Sequence, residues 1–424
     1  MVPWRRSSLA LVLIAVLLPL CLTRAKKVKV NSTRIANCEL EPNSFVGLQF
    51  TGGLVLRCDE DDNFGGWSGL ATSSKGQHAV SVSDRGHWLE MTLEYSTEAN
   101  HGAMGPVSVS GAKVGPMRGL EGEKLDGKSW SDAESVVYDN RGDLLVSFER
   151  HHRVWRYQTP SFMDSKASTD SQLETMSTVL SEHCTYNGGA EGIEVLLDGS
   201  LVAFCEDAER GTLETFAGWV VPPSPADGKA IKAVRLDLTD GFRPTDLSLL
   251  PGGAGLMVLL RMHGKGRTGM RLGLIPEGML TNGNNNGTDQ ARIKPAPVAE
   301  AWQSQDSPID NMEGLSSDDV GGDVVRLSLI SDDNFSASQR TVYLTFEANL
   351  TELTRFGVEK AKWVPAEGGA SERTKAVVAG VAGGLAVALV LAGVAMVFVA
   401  VRHHRRAREA RYHHICELTR VDFE

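Results

Sequence analysis

Apart from one long apolar run near each end, the sequence alternates short apolar stretches with glycine-containing turns, and no extended helical period interrupts them. The stretch DAESVVYDNRGDLLVSFER, Asp132 to Arg150, shows the unit. Val136–Tyr138 reads as a strand, DNRG as a turn and Leu144–Phe148 as the returning strand. Glu134 and Glu149 stand at the paired ends, where an antiparallel hairpin makes them neighbours. Like charges side by side destabilise a sheet, so the pair needs a reason.

The unit recurs. Glu191 to Glu206 spans the same interval, and a glycine follows the first acid at Gly142 in one copy and Gly199 in the other. Ser68 with Gly76 and Ser83–Asp84, Asp246 with Arg261, and Glu313 with Asp332–Asp333 keep the frame. The anchors at 68, 134, 191, 246 and 313 lie 66, 57, 55 and 67 residues apart. Each interval holds a hairpin plus room for two more strands, the size of a propeller blade. The pattern predicts an all-β propeller of about six blades. Five are visible as repeats, and the sixth is expected from TVYLTFEANL after the last repeat together with SFVGLQF and GLVLRC at the start. Joining strands from both ends of the domain would leave no free edge. A β-sandwich is the alternative, but it leaves the repeated in-frame acid unexplained.

The two long apolar runs change the picture of where this domain sits. Residues 1–25 carry a basic start (Arg5, Arg6), an apolar stretch from Leu9 to Leu22 and a small-residue cut site after Ala25, the pattern of a secretory signal peptide. Residues 376–401 are free of charge and long enough to span a bilayer as a helix, and the basic stretch RHHRRAREAR follows. The expected organisation is a signal peptide (1–25), a propeller ectodomain (26–365), a juxtamembrane linker (366–375), a transmembrane helix (376–401) and a cytoplasmic tail (402–424). That is a single-pass type I protein of the plasma membrane or an endomembrane, with its bulk extracellular or lumenal. Gly380 and Gly384 form a G-x-x-x-G pair, which points to a homodimer through the span. In the tail, YHHI from Tyr412 fits a tyrosine-based sorting signal.

Charge narrows the partners. Of 43 basic and 53 acidic residues, the segments 1–25 and 402–424 hold nine and four, leaving 34 and 49 between Lys26 and Lys375, a balance of −15. Such a surface disfavours nucleic acid and favours cations. Cys38, Cys58, Cys184 and Cys205 fall in the same segment. In an oxidising compartment they predict two disulfides. Three pairings are open, and proximity favours Cys38–Cys58 and Cys184–Cys205. Glycosylation triplets begin at Asn31, Asn286, Asn334 and Asn349.

If each hairpin is the inner pair of a blade, the paired polar ends all face one mouth of the ring. The acids so gathered are Asp84, Asp132, Glu134, Glu149, Glu191, Glu206, Asp246, Asp310, Glu313, Asp332 and Asp333. Clustered carboxylates need compensation, and outside the cell calcium, with its six to eight oxygen ligands, is the expected cofactor. Arg85, Arg150, Arg243 and Arg261 fall among them and suit a phosphate ester held between metal and guanidinium groups. Glu134, Glu149, Glu191 and Glu313 are the candidates for catalysis, with no base assigned. The competing reading makes each acid a structural clasp on a neighbouring backbone N–H. No G-x-S-x-G elbow is present, and His151–His152 read as a polar turn rather than a zinc site.

Taken in order, GWSGLA…VSDRG, DAES…VSFER, GGAEGIEV…DGSLVAFCED, GFRPTDLSLLPGG…LLR and DNMEGLS…LISDDNF…QRTVYLTF resemble the phytase-like family described as "esterase-like activity of phytase", over roughly residues 45 to 347. The resemblance implies a β-propeller with phosphoesterase activity. At one strand end this chain reads Leu260–Arg261–Met262, with no acid. Two functions therefore fit the sequence. One is a membrane-anchored, calcium-dependent hydrolase of organic phosphate esters. The other is a non-catalytic propeller ectodomain that binds a ligand or cell-surface partner.

Overall fold

The computed structural model describes residues 24–73, 75–96, 105–225, 230–264, 266–281, 292–304 and 307–364. Three strands come first: β1 (Lys26–Val28), β2 (Asn31–Ile35) and β3 (Gln49–Arg57). The first repeat then gives β4 (Trp67–Ser73), β5 (His78–Ser83), β6 (His87–Tyr95) and β7 (Pro106–Pro116). A one-turn helix α1 (Lys128–Ser131) leads into β8 (Ala133–Tyr138), β9 (Leu144–Phe148) and β10 (Arg153–Tyr157). Helix α2 (Ser171–His183) precedes β11 (Ala190–Val195), β12 (Leu201–Ala208), β13 (Thr215–Val221) and β14 (Lys232–Asp237). The fourth repeat is β15 (Arg243–Leu249), β16 (Leu256–Gly264) and β17 (Arg267–Ile275), followed by α3 (Glu277–Thr281), β18 (Arg292–Lys294) and β19 (Ala296–Trp302). The last is β20 (Met312–Gly321), β21 (Val324–Ser331) and β22 (Thr341–Asn349), then α4 (Leu350–Lys360) and β23 (Lys362–Val364).

These strands form five sheets, ordered β4-β5-β6-β7-β1, β8-β9-β10, β11-β12-β13-β14-β18-β23, β15-β16-β17-β19 and β20-β21-β22-β3-β2 from the inside outward. The innermost strands touch in a closed cycle, β4 to β8 to β11 to β15 to β20 and back to β4. The protein is a five-bladed β-propeller. The expected count of about six fails at the join. Strand β3 does not begin a blade of its own; it pairs with β22 (Val342 opposite Val55, Tyr343 opposite Leu54) and becomes the fourth strand of the fifth blade. The two ends of the domain do close the ring, as expected, but inside a blade already counted.

Packing follows the same cycle. Strands buried on both faces bring one apolar cluster to every blade-to-blade interface, including the last-to-first one, where Leu54, Leu56 and Tyr343 meet Trp67, Leu70, Leu89 and Met91. Each such side chain removed from water contributes about 1.5–3 kcal/mol. The second blade has only three strands, and α2 covers it, burying Leu173, Met176, Val179 and Leu180 against Val154, Ile193 and Trp219. Asp170 caps that helix by accepting from the N–H groups of Gln172 and Leu173.

One of the two favoured disulfides is present, Cys184–Cys205, with Cα atoms 5.7 Å apart. Cys38 and Cys58 are both free. The β2–β3 register explains why: Asn31 faces Arg57 and Ile35 faces Gly53, so Cys58 lies beyond one end of the pair and Cys38 beyond the other. About 15 Å of strand separates those ends, more than a disulfide can bridge. Burial pushes the Cys38 thiol up to about 12, an inert state. Of the glycosylation triplets, Asn31 and Asn334 are exposed, whereas Asn349 is half-buried as the N-cap of α4. Asn286 lies outside the described residues, as do the signal stretch to residue 23, the expected span at 376–401 and the tail. No helix among the described residues is long and apolar enough to cross a membrane.

Candidate functional site

Each innermost strand carries a bulge at the same place. Pairing skips one residue between Trp67 and Gly69, Ala133 and Ser135, Ala190 and Gly192, Pro244 and Asp246, and Met312 and Gly314. The bulged residues are therefore Ser68, Glu134, Glu191, Thr245 and Glu313. A bulge re-aims its side chain, and bulges collect beside functional sites. In the blades of Asp84, Glu149, Glu206 and Asp332, the residue at the second strand's end donates its N–H to the carbonyl two places before the bulge: Asp84 to Gly66, Glu149 to Asp132, Glu206 to Gly189 and Asp332 to Asn311, all at 2.9–3.0 Å. In the fourth blade Arg261 faces Arg243 in the same frame. The repeat thus delivers three positions per blade to one mouth of the ring.

The charges there form one cluster. Asp132, Glu134 and Glu149 each offer an oxygen within 4.8 Å of the others. Burial holds the Glu134 carboxyl well above its ordinary range, and the charges of Glu191, Asp132 and Glu149 push it further. Glu191 is raised in the same way, by burial and then by Glu206, Glu149 and Glu313. Asp332 is raised by burial and by Glu313 and Asp84. Burial, followed by the neighbouring Asp132, pushes Glu149 up to about 8. Desolvation and like charge act together, so these groups hold protons that free carboxyls would have lost.

Cations sit among them. Arg261 replaces the acid of the fourth blade and donates to Glu313 Oε1 (2.5 Å), Glu206 Oε1 (2.8 Å) and Asn311 Oδ1 (2.8 Å). Burial alone would pull its pKa down; Glu313, Glu206 and Glu191 outweigh that and hold it raised. Arg150 bonds Asp132 and lies 3.7 Å from Glu149 Oε1. Arg243 pairs with Asp207 at 2.7 Å. Lys128 on α1 bridges Asp84 (2.7 Å) and Asp132.

The remaining residues of the expected set stand elsewhere. Asp246 lies one layer below the bulge. Its oxygens accept from Ser135 Oγ (2.7 Å), Leu247 N (2.9 Å) and Leu315 N (2.7 Å), which fastens the second, fourth and fifth blades on the axis. The inner strands can approach this closely because Gly69 and Gly192 share its layer: a Cβ would lie 2.7 Å from Ser135 Cα at Gly69 and 2.8 Å from Leu247 Cγ at Gly192. Asp310 accepts from Asn311 N and from Arg340. Asp333 accepts from Gly66 N, Phe335 N and Thr341 Oγ1, clasping the last blade to the first. Arg85 stacks on Phe335, 3.3 Å from its centroid. For these the clasp reading describes the geometry, while Asp84, Asp132, Glu134, Glu149, Glu191, Glu206, Glu313 and Asp332 converge. Lys128, Asn311, Asp207 and Thr245 were not expected at the mouth. Thr245 and Asn311 lie in the repeat frame and could have been read from it; Lys128 lies in a linker outside any hairpin.

The family model for phytase-like proteins, "esterase-like activity of phytase", matches residues 62–335, well over half of the chain and all five inner hairpins. The chain belongs to the phytase-like family. No curated protein matches this phytase-like sequence. Among solved structures, the gluconolactonase of Xanthomonas campestris is similar with a TM-score of 0.33 and 10% identity, over 74% of this chain and 100% of that one. The PQQ-bound aldose sugar dehydrogenase of Streptomyces coelicolor gives 0.30 and 13%, over 75% and 99%. The hydrazine synthase of Kuenenia stuttgartiensis gives 0.29 and 13%, over 65% of this chain and 58% of that one, so the phytase-like chain spans less than two thirds of its length. Scores of this size carry no argument about activity.

Proposed function

We propose that the protein is a membrane-anchored, calcium-dependent phosphoesterase acting on organic phosphate esters outside the cytosol. The observation that carries the reading is the convergence of desolvated, mutually repelling carboxylates with cationic side chains at one mouth of the ring. Asp132, Glu134 and Glu149 would hold the ion, with Glu191 beside them, because an oxygen-only donor set of this kind suits calcium. A bound divalent cation would supply Lewis acidity toward a phosphoryl oxygen. Lys128, Arg150 and Arg243, with side chains 45%, 21% and 50% exposed, ring the acids and can turn N–H groups toward phosphate once the carboxylates are neutralised. Arg261 keeps Glu206 and Glu313 apart from that exchange. The apolar stretch 376–401 and the signal-like start support the anchor and the compartment, and Gly380 with Gly384 supports pairing of the spans.

The experiment compares thermal unfolding of the full-length protein with and without calcium, then measures phosphate release from a panel of phosphate and carboxyl esters. Glu134→Gln and Glu149→Gln should remove both the calcium shift and the release while leaving the fold intact. A calcium shift without turnover of any ester would favour a non-catalytic, ligand-binding ectodomain. No calcium shift would refute both the ion and the mechanism.

A further inference from the structure

Trp130 and Tyr186, 48% and 59% exposed, are the only exposed Trp, Tyr or Phe side chains among the described residues. Elsewhere this chain buries its largest rings completely, as at Trp67 and Trp88. Both exposed rings flank the loop Glu149–Arg153 at the rim of the carboxylate mouth. Trp130 stacks on the His151 ring, 4.1 Å between centroids and 26° between planes. Tyr186 lies beside the Arg150 guanidinium, 5.7 Å from ring centroid to Cζ. A groove of about 470 Å³ runs along this loop, lined by Arg150, His151, His152, Arg153, Ser181, Cys184 and Tyr186, a volume suited to a ring-sized ligand.

The groove is held rigid. Arg153 is locked over Phe148 and Trp155, at 3.9 and 4.2 Å, and donates to the carbonyls of Trp130 and His151. Tyr186 accepts the Arg150 N–H at its carbonyl (3.1 Å), and its segment is tied down by His152 Nε2 on Thr185 O (2.9 Å) and by the Cys184–Cys205 bond. Exposed rings on a preorganised frame cost little entropy to use. The chemistry of the lining selects the guest. The groove has arginine and aromatic faces but no carboxylate or amide side chain to accept from hydroxyl groups. A polyhydroxylated ring would find only Ser181 and the two histidine rings as side-chain acceptors in this lining, whereas a flat aryl or heteroaryl ring needs only faces and edges.

We infer that this groove is a subsite for a planar aromatic group carried by the phosphate ester, with Arg150 the shared wall between ring and phosphate. The inference rests on the phosphoester reading of the mouth, and the test separates the two. Binding of methylphosphonate, cyclohexylphosphonate and phenylphosphonate to the full-length protein in calcium would be measured by titration calorimetry; none of these can be hydrolysed, so turnover does not enter. Phenylphosphonate should bind about tenfold more tightly than the other two. Tyr186→Ala should bring it to within about twofold of methylphosphonate without changing methylphosphonate itself, Tyr186→Phe should keep most of the preference, and Trp130→Ala, which removes the ring stacked behind His151, should weaken it less than Tyr186→Ala does. Thermal unfolding checks that each variant is folded. Equal binding of the cyclohexyl and phenyl compounds, or a preference that survives Tyr186→Ala, overturns the inference and leaves the phosphate reading standing. No binding of methylphosphonate overturns both.

Discussion

In chelator this protein should lose stability as the pH rises through neutrality, and the share contributed by Glu149 can be sized. In the unfolded chain its carboxyl gives up a proton near the ordinary 4.5, whereas in the folded protein burial and Asp132 hold the proton until about 8. Between those values the folded state binds more protons than the unfolded one, so the contribution of this group is fully present below the lower value and is lost on the way to the upper. At 1.36 kcal/mol for each tenfold change in proton activity, the full interval corresponds to about 4–5 kcal/mol, and movement of Arg150 toward the new charge would trim that to about 2–4 kcal/mol. Glu149→Gln keeps the shape and cannot ionise. Urea unfolding in chelator at pH 5 to 8.5 should therefore show the wild type falling relative to the variant by that amount, with the variant more stable at pH 8. Calcium should flatten the wild-type curve, since the ion replaces the protons. Parallel curves for the two proteins in chelator would show that Glu149 ionises freely, and the account of the mouth as a desolvated acid cluster would fail with it.

Two further outcomes follow from the same geometry. Arg261→Leu removes the cation that neutralises Glu206 and Glu313, and breaking a buried pair from one side should cost about 3–5 kcal/mol in chelator, read by urea unfolding, with part of the loss restored by calcium. Asp246→Ala strips the acceptor from Ser135, Leu247 and Leu315 and should cost about 2–5 kcal/mol, with no recovery in calcium because the residue lies below the mouth.

The hairpins could be read from the chain because each is local: strand, turn and returning strand lie within about twenty residues, and the frame carried the mouth residues with it. What the frame could not resolve was a one-residue register change. In the fourth blade Thr245 and Asp246 are adjacent, the strand is buried on both faces, and no alternation of apolar and polar positions marks where pairing skips. A fixed interval back from Arg261 therefore falls on the clasp Asp246 rather than on the bulged Thr245. The blade count failed for the opposite reason. The pairing of β3 with β22 joins segments almost three hundred residues apart, and nothing local distinguishes the last strand of an existing blade from the first of a new one. Lys128 is not legible in the frame because it enters from a linker helix, outside every hairpin.

Seen blade by blade, the mouth is not symmetric, and the asymmetry bears on what it can bind. The second and third blades each offer a bulged glutamate and a glutamate at the strand end; the fourth offers Thr245 and Arg261; the first offers Ser68 and Asp84. Arg261 reaches across to Glu206 and Glu313 and so neutralises the third-to-fifth side from within. On the second-blade side the ion-pair partners of Asp132 and Glu149 among the described residues are Arg150 and the half-exposed Lys128, both at the rim and both able to swing away without opening the core. Compensation is thus fixed on one side of the axis and exchangeable on the other. An added cation gains most where the existing partners can leave most cheaply, which would put a bound ion off the axis, against the second blade and next to the groove that Tyr186 lines.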